Sequence, residues 1–450
     1  MRSVNKLDPY WNRKPNRQMR KMEMKTTTQE TQKMEQEYSW PELSERERDR
    51  RWSRVRELMK SQGLECMCVF GLKGKEQFDG YLTNDRTGGI AIFPLEGDLV
   101  QLYWHPQYIV SHLESSIRGE SSWVRDVRLG ATGAGVVEVL QEKGYDQANI
   151  GVVGVNIYGA GEVEGFVPYN TWTYIMDHLP RAKFHEVSRA FIGLVLVKSD
   201  EELQLVRRAA QIGELAAETM MRVTRPGISE TEIYATVMYQ LFLHGANGLN
   251  VPYATPMIIQ SGPDNPSWGP PIWMMRGGPP RIIQKGDVVQ AEIFPTYGRM
   301  EAQIQMSIAI EPVNHINKEC AAIARKSYET GLKSLLPGKT FGEVVEAMEE
   351  PLKQARAWHL TPLIHSQNPL SLSSRKGVGM ENLPDIGKYR WKGPTKDVLP
   401  DSIIQANTVW ELEPNACLGR HRVNIGGTVI VTDKGALSLN MLSTEMRVVG

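Results

Sequence analysis

The sequence has few cysteines, no excess of charge of one sign and no long apolar run. Four cysteines occur in 450 residues, so we expect a reduced, cytoplasmic protein without a disulfide framework. The 52 basic residues balance the 52 acidic ones, which argues against nucleic acid as a main partner. No apolar run reaches the roughly 18 residues of a membrane span, and residues 1–21 lack the apolar core of a secretory signal.

Three common catalytic signatures are also missing. The phosphate-binding G-x-x-x-x-G-K-[ST] loop, the dinucleotide-binding G-x-G-x-x-G turn and the G-x-S-x-G nucleophile elbow do not occur. We therefore set aside the enzyme classes that depend on them. With 41% hydrophobic residues, the chain can still bury a full core, and its length is sufficient for two or three domains.

The order of the predicted elements divides the chain into three parts. Residues 1–37 are polar, charged and poor in aliphatic side chains, so we predict an N-terminal extension. Residues 38–190 alternate short apolar strands with helices, which is typical of an α/β domain. The first of these helices, predicted over 45–62, is dense in Arg and Glu and is interpreted as a surface helix.

Residues 191–450 contain an internal duplication. Two Pro-Gly breaks, at 226–227 and 337–338, each separate a long helix from a second, capped helix. A strand-rich segment follows each helix pair, first over 251–310 and then over 361–432. Two such halves that face each other would enclose a cavity at their shared sheet.

The segment 286–310 is the most informative part of the duplicated region. It predicts two strands, 288–294 and 301–310, around a turn at 297–298. The first strand carries Glu292, and the second alternates Gln303 and Gln305 with apolar residues. Polar residues at alternate positions of an apolar strand indicate a face that lines a polar cavity, although a solvent-facing sheet edge is the alternative.

Six stretches resemble the pita-bread superfamily of creatinase, aminopeptidase P and related M24 peptidases. They read LVKSDEELQLVRRAAQIGELA, RPGISETEI, QKGDVVQAEIFPTYG, GVGMENLPDI, WELEP and GGTVIVTDKGA. The resemblance implies an α/β N-terminal domain, an α+β pita-bread domain with a pseudo-two-fold repeat, and a homodimer. The GVGMENLPDI stretch looks most like the dimethylsulfoniopropionate lyase branch.

The resemblance also implies where metal ligands would lie. Metal-dependent members use two Asp, one His and two Glu, and the corresponding positions here are Glu292, Gln303, Lys376, Glu413 and a place at or beside Gly426. Glutamine is a weak neutral ligand and a protonated lysine is none, so we predict no catalytic metal and no cofactor. Lys376 would then supply a positive charge beside the carboxylates, either as a structural counter-ion or as an acid or base.

Three further residues come from the segment before the hairpin. Creatinase keeps a catalytic His there, but residues 260–281 of this chain contain none. Trp268 and Trp273, with two neighbouring methionines, are predicted to bind an apolar, aromatic or cationic part of a substrate, and Arg276 is also predicted to bind the substrate. The alternative is that this segment packs as an ordinary loop.

Two histidines in the second half were also considered. His365 lies shortly before the Lys376 motif and is the best remaining general base, with a structural role as the alternative. His421 is flanked by Arg420 and Arg422. This cluster is interpreted as a solvated hairpin, and contact with a substrate carboxylate is the alternative.

These observations favour a metal-independent hydrolase that cleaves an amide or amidine-type C–N bond of a small molecule. Glu292 and Glu413 would bind or polarise the substrate with help from Gln303 and Gln305, while His365 or Lys376 would move protons. The alternatives are a ligand-binding protein without activity and a lyase that acts by β-elimination. Nucleic-acid and membrane partners are not expected.

Overall fold

Two β-sheets, each covered by helices, form the framework of the chain. The computed structural model describes residues 40–71, 78–85, 88–120, 122–156, 165–246, 256–267 and 271–450. The predicted extension 1–37 lies outside these residues. None of the helices in the described ranges is long and apolar enough to cross a membrane.

The first sheet has six strands in the order β4-β3-β2-β1-β5-β6 and mixes parallel with antiparallel pairs. Its elements are α1 (Glu45–Gln62), β1 (Cys66–Phe70), α2 (Asp79–Thr83), β2 (Ile90–Pro94), β3 (Val100–Tyr103), α3 (Pro106–Arg118), β4 (Asp126–Leu129), α4 (Gly133–Glu142), β5 (Asn149–Val153), α5 (Tyr169–His178), β6 (Lys183–Glu186) and α6 (Ser188–Leu196). Strands that alternate with helices confirm the α/β character predicted for this half.

Helix α1 has the predicted bounds but is more buried than a surface helix. Ser44 caps its first turn, and Gly63 in the left-handed region ends it. Glu47 and Arg51 are buried, and the Arg51 guanidinium also pairs with Glu202 at 2.9 Å. The expectation of a surface helix was therefore wrong for this face, because opposite charges that pair with each other can be buried together.

The second sheet has eight strands, six of them in the order β12-β13-β16-β11-β8-β7, with β17 beside β16 and β18 beside β11. The elements of this half are α7 (Asp200–Val223), α8 (Glu230–Leu243), β7 (Met257–Gly262), α9 (Ile272–Arg276), β8 (Val288–Ile293), β9 (Thr296–Tyr297), β10 (Met300–Glu301), β11 (Ile304–Ile310), α10 (His315–Ser334), α11 (Phe341–Gln354), β12 (Ile364–Gln367), β13 (Val409–Leu412), β14 (Asn415–Leu418), β15 (His421–Asn424), β16 (Gly426–Thr432), β17 (Gly435–Ser438) and β18 (Arg447–Val449). The pairs β9–β10 and β14–β15 form two separate two-stranded sheets.

The predicted duplication is visible in the packing of this sheet. Helices α7 and α8 share one apolar core with β7, β8 and β11. Helices α10 and α11 share a second core with β13 and β16. Ser229 and Thr340, which begin the second helix of each pair, both form a complete capping box. The halves join where β11 pairs with β16.

The central hairpin follows the prediction except in its second strand. The turn lies at Gly298 and Arg299, both with positive φ. The predicted strand 301–310 is divided into β10 and β11, because β10 pairs with β9 and not with β8. Residues 302–303 interrupt the strand, and this break places the Gln303 side chain beside the end of β8.

Candidate functional site

The polar residues of the central strands collect on one part of the second sheet. Glu292 of β8 lies opposite Gln305 of β11 and opposite Ile258 of β7. Glu413 follows the last residue of β13, which pairs with β16. Because β16 also pairs with β11, the two glutamates of the two halves face the same space.

Amide groups join the two carboxylates directly. Nε2 of Gln303 donates a hydrogen bond to Oε1 of Glu292 and lies 3.5 Å from Oε2 of Glu413. Nε2 of Gln305 donates to the same Glu413 oxygen at 2.8 Å. All four side chains are buried. The Gln303 amide nitrogen therefore lies between the carboxylates, where it donates one N–H to each.

A second row of amides fixes the direction of these groups. Nδ2 of Asn424 donates to Oε1 of Gln305, and Nε2 of Gln367 lies 3.4 Å from Oε1 of Gln303. Each inner amide thus accepts through its oxygen and donates through its nitrogen. If the oxygen and nitrogen of the Gln303 amide changed places, the amide oxygen would face the carboxylate oxygens of Glu292 and Glu413. The amide nitrogen therefore stays on the side of the glutamates.

His365 lies on β12, next to Glu413. Its Nδ1 donates to the carbonyl oxygen of Ser366 at 2.9 Å, and its Nε2 lies 3.5 Å from Oε1 of Glu413. A carbonyl oxygen can only accept, so Nδ1 carries a proton. When Nε2 is protonated as well, the ring is a cation that faces a carboxylate and can give it a proton.

Glu411 is a third buried carboxyl group; it lies on β13, two residues before Glu413. Burial raises its pKa well above the usual value, and the nearby charges of Glu413 and Glu292 raise it further. Oε2 of Glu411 lies 3.4 Å from Oγ1 of Thr428. The raised pKa favours the neutral, protonated form of Glu411 in the folded protein.

Replacing Glu411 with glutamine is expected to change how stability depends on pH. In the wild type, unfolding above the unfolded-state pKa of Glu411 releases a proton, so stability falls as pH rises, by up to about 1.4 kcal/mol per pH unit. Glu411→Gln keeps the shape of the neutral acid and has no proton to release. Urea midpoints should be similar near pH 4 and higher for the variant at pH 8. If the urea midpoints of the wild type and of Glu411→Gln changed with pH in the same way, this would contradict a protonated Glu411.

Arg422 provides a buried positive charge near the two glutamates. It lies on β15 and is only 2% exposed, and burial lowers its pKa, although an arginine remains protonated. Glu292 and Glu413 are both close enough to favour its charged form. The interpretation of residues 420–422 as a solvated hairpin was therefore wrong for Arg422, while Arg420 is exposed.

Lys376 is the cation that the sequence predicts beside the two glutamates. It is half-buried in the loop after β12, where its backbone N–H donates to Oγ1 of Thr395. Between described residues, no ion pair joins it to Glu292 or Glu413. The counter-ions that the structure brings near these carboxylates are Arg422 and His365 when protonated.

Two of the three residues predicted from the segment before the hairpin, Trp273 and Arg276, lie within the described residues. Trp268 lies outside the described residues. Nε1 of the half-buried Trp273 donates to Oε2 of Glu230 at 2.8 Å, so its polar atom is used within the protein. Arg276 is exposed at the end of α9. These contacts favour the alternative of a packed loop for Trp273.

The described side chains do not fit the two-metal centre of the metal-dependent relatives. No group of three or more His, Cys, Asp or Glu residues among them is arranged to hold a metal ion. The Gln303 nitrogen donates into the space between the carboxylates, and an N–H donor cannot bind a cation. At Gly426, an added Cβ would lie 1.9 Å from the Leu412 carbonyl oxygen, so this backbone has no room for a fifth ligand.

The sequence interpretation missed several members of this cluster, namely Gln367, Glu411, Asn424 and Thr428. A signal was present, because Glu411 and Glu413 alternate on one strand and Arg422 and Asn424 alternate on another. Such alternation predicts a shared face. The register that brings these faces together is set by pairing between distant strands, which the sequence alone does not show.

Comparisons with known proteins identify the family of the chain. The sequence model of metallopeptidase family M24 matches residues 204–433. Creatinase of Bacillus sp. is 23% identical over 319 residues, which cover 68% of this chain and 67% of that protein. The Xaa-Pro dipeptidase of Pyrococcus furiosus is 22% identical over 288 residues, which cover 63% of this chain and 74% of that protein.

Solved structures show the same fold. The X-Pro aminopeptidase of Thermotoga maritima has a TM-score of 0.69 at 18% identity and covers 88% of this chain and 99% of its own. The prolidase of Pyrococcus horikoshii has a TM-score of 0.65 at 16% identity, and the match covers 87% of this chain and 98% of the prolidase. These likenesses confirm the predicted α/β N-terminal domain and pita-bread C-terminal domain.

Proposed function

Because the chain belongs to metallopeptidase family M24, we propose that it is a hydrolase of a C–N bond that works without a catalytic metal. Its substrate is a small molecule with an amide or amidine-type bond. The observation that carries this proposal is the Gln303 amide, which donates toward Glu292 and Glu413 at the place where a cation would be needed. The creatinase and dipeptidase relatives support the class of bond.

The proposed reaction uses Glu413 and His365 as a proton pair. Glu413 accepts a proton from the attacking water while the water oxygen bonds to the carbon of the C–N group. Protonated His365 gives its Nε2 proton to the leaving nitrogen as the C–N bond breaks. Oε1 of Glu413 and Nε2 of His365 are 3.5 Å apart, so the proton gained by Glu413 can return to His365 and restore both groups.

The remaining residues bind and orient in this proposal. Glu292 accepts hydrogen bonds from the substrate nitrogen, and the Gln303 and Gln305 amides hold both carboxylates in place. Lys376 has no step in this reaction. A homodimer and a cytoplasmic location remain predictions from the sequence.

A binding protein without activity is the second candidate. The observation that favours it is that both inner amides are already satisfied by Asn424 and Gln367, so the site is stable without chemistry. A lyase is less favoured, because the GVGMENLPDI stretch that suggests it forms a loop with two short 3-10 turns.

A panel of small amides and amidines would separate these functions. The products should be analysed for a free amine or ammonia together with the matching acid or urea. Hydrolysis predicts both products in equal amounts, and incorporation of one oxygen atom from labelled water. An alkene product would establish elimination, and binding without any product would establish the second candidate.

A further inference from the structure

A second cavity lies between α6 and the second sheet. Its volume is about 240 Å³, and it is lined on one side by α6 and on the other by Leu372, Trp410 and residues of the segment 399–408. Trp410 and Glu411 are neighbours on β13, so their side chains point to opposite faces of the sheet. The cavity is therefore separated from the glutamate cluster by the strand itself.

The size of this cavity suits a single ring with a short side chain. A protein cavity of about 150 Å³ is large enough to bind benzene, so this one has room for about ten to thirteen non-hydrogen atoms. Its apolar wall consists of Ile192, Leu196, Leu372, Leu399 and Trp410. Trp410 is fixed in place, because its ring stacks on Phe341 at a centroid distance of 5.4 Å and its Nε1 donates to Oγ1 of Thr408. This wall offers a preformed apolar surface to a ligand.

The polar side of the cavity carries a positive charge without an opposite one. Arg189 of α6 is exposed there and forms no ion pair with a described residue. Ser402 and Gln405 also line the cavity, and their side chains make no hydrogen bond within the described part of the chain. None of the described lining residues is acidic. The free guanidinium, hydroxyl and amide can all donate, so they favour a ligand with an anionic head group.

We propose that this cavity is a binding site for a small aromatic carboxylate, whose ring packs against Trp410 and whose carboxylate faces Arg189. Aromatic rings supply much apolar contact area for few rotatable bonds, which suits a cavity with fixed walls. The site is separate from the proposed reaction centre. Its occupation can be measured without turnover, and its existence does not depend on the proposed function.

Gly193 provides the main test, because it lines the cavity at a position where a side chain fits. A Cβ added to Gly193 would have no atom within 4 Å, and residue 193 lies inside α6, where other residues favour the helix more than glycine does. Gly193→Phe should therefore fill the cavity with a ring and keep the helix. Gly193→Ala is the matched control, since one methyl group leaves most of the volume free.

Calorimetry with three probes measures the binding. 3-Phenylpropionate has both the ring and the carboxylate, 3-phenylpropan-1-ol lacks the charge, and propionate lacks the ring. We expect the wild type to bind 3-phenylpropionate with a Kd of about 1 mM or lower, more tightly than either analogue. Gly193→Ala should retain this affinity, and Gly193→Phe should lower it at least about tenfold, with a melting temperature no lower than that of the wild type.

A second pair of variants tests the charge without changing the cavity. Arg189→Met should weaken binding of 3-phenylpropionate about threefold, the size expected for an exposed ion pair, and leave binding of the alcohol unchanged. Arg225→Met removes another exposed arginine, which donates to the carbonyl oxygen of Val223 outside the cavity, and should change neither affinity. If Gly193→Phe does not fold, this pair and the wild-type preference still decide.

Glu413→Gln separates this site from the reaction centre. It should bind 3-phenylpropionate as the wild type does, whatever its effect on turnover. Binding that is lost in Glu413→Gln and kept in Gly193→Phe would place the ligand at the glutamates and overturn the proposal. It is also overturned if the wild type does not bind 3-phenylpropionate, or if it binds the alcohol at least as tightly as the acid.

Discussion

Glu413→Gln is expected to lower kcat by about 10³-fold or more while the protein stays folded. The glutamine oxygen can still accept from Nε2 of Gln305, which now donates to Glu413 at 2.8 Å. It cannot accept a proton from water, and general base catalysis contributes on the order of 10²–10⁴-fold. Glu413 also faces His365 and returns a proton to it in the proposed reaction. The variant therefore removes the group that accepts the proton and leaves His365 without its proton source.

The measurement is steady-state turnover on the best compound of the amide and amidine panel, together with thermal unfolding. Glu349→Gln is the matched control. Glu349 is an equally buried carboxylate outside the site, and its oxygens bind Arg375 and Lys353. That variant should lower the melting temperature and spare kcat. A Glu413→Gln enzyme with near-normal turnover would remove Glu413 from the mechanism.

Gln303→Glu is expected to make the stability of the protein depend on divalent metal. The new carboxylate would lie between Glu292 and Glu413, where the amide nitrogen now donates to both. Three buried carboxylates repel each other and keep only part of their hydrogen bonding. The free energy of unfolding is therefore expected to fall by about 3 kcal/mol or more near pH 8. Lower pH should reduce the loss, because protonation removes the repulsion.

Added manganese or zinc should restore the melting temperature of Gln303→Glu and leave that of the wild type unchanged. A cation that binds only the folded state raises stability by mass action. Gln354→Glu is the control, since Gln354 is exposed on α11 and its replacement should show no response to metal. A wild-type protein that is stabilised as strongly as the variant would show that the natural site already binds metal.

The fold was largely predictable because it rests on local signals. The bounds of α1 matched the sequence pattern, and the second helix of each pair is capped as predicted, by Ser229 and by Thr340. Helix α3 was not predicted. Its apolar residues Val110, Leu113 and Ile117 recur at helical spacing, but all three are exposed in the structure.

The site was only partly predictable because it depends on contacts between distant strands. Glu292, Gln303, Gln305, Glu413 and His365 were selected from the sequence, and the structure brings all of them together. Lys376 was selected by position within a motif, and among the described residues no ion pair joins it to the glutamates. The burial of an arginine beside an exposed one, as in Arg422 and Arg420, follows from strand register, which the sequence does not reveal.

The charge balance of the pocket explains why a metal would be unnecessary. A metal pair neutralises several carboxylates, whereas this site has two carboxylates that face amide donors, Arg422 and His365. The raised pKa of the third acid, Glu411, favours its neutral form. When His365 is protonated, the two cations offset the charges of Glu292 and Glu413, which helps a polar site to persist in a protein interior.

Turnover by metal-free protein tests this account most directly. The enzyme should be purified, treated with a chelator, shown by elemental analysis to lack transition metals, and assayed with its best amide or amidine substrate. We predict that kcat is unchanged by this treatment and does not rise when manganese, cobalt or zinc is added. Loss of activity that one of these metals restores would contradict the account, because it would give the catalytic role to a metal and not to Glu413 and His365.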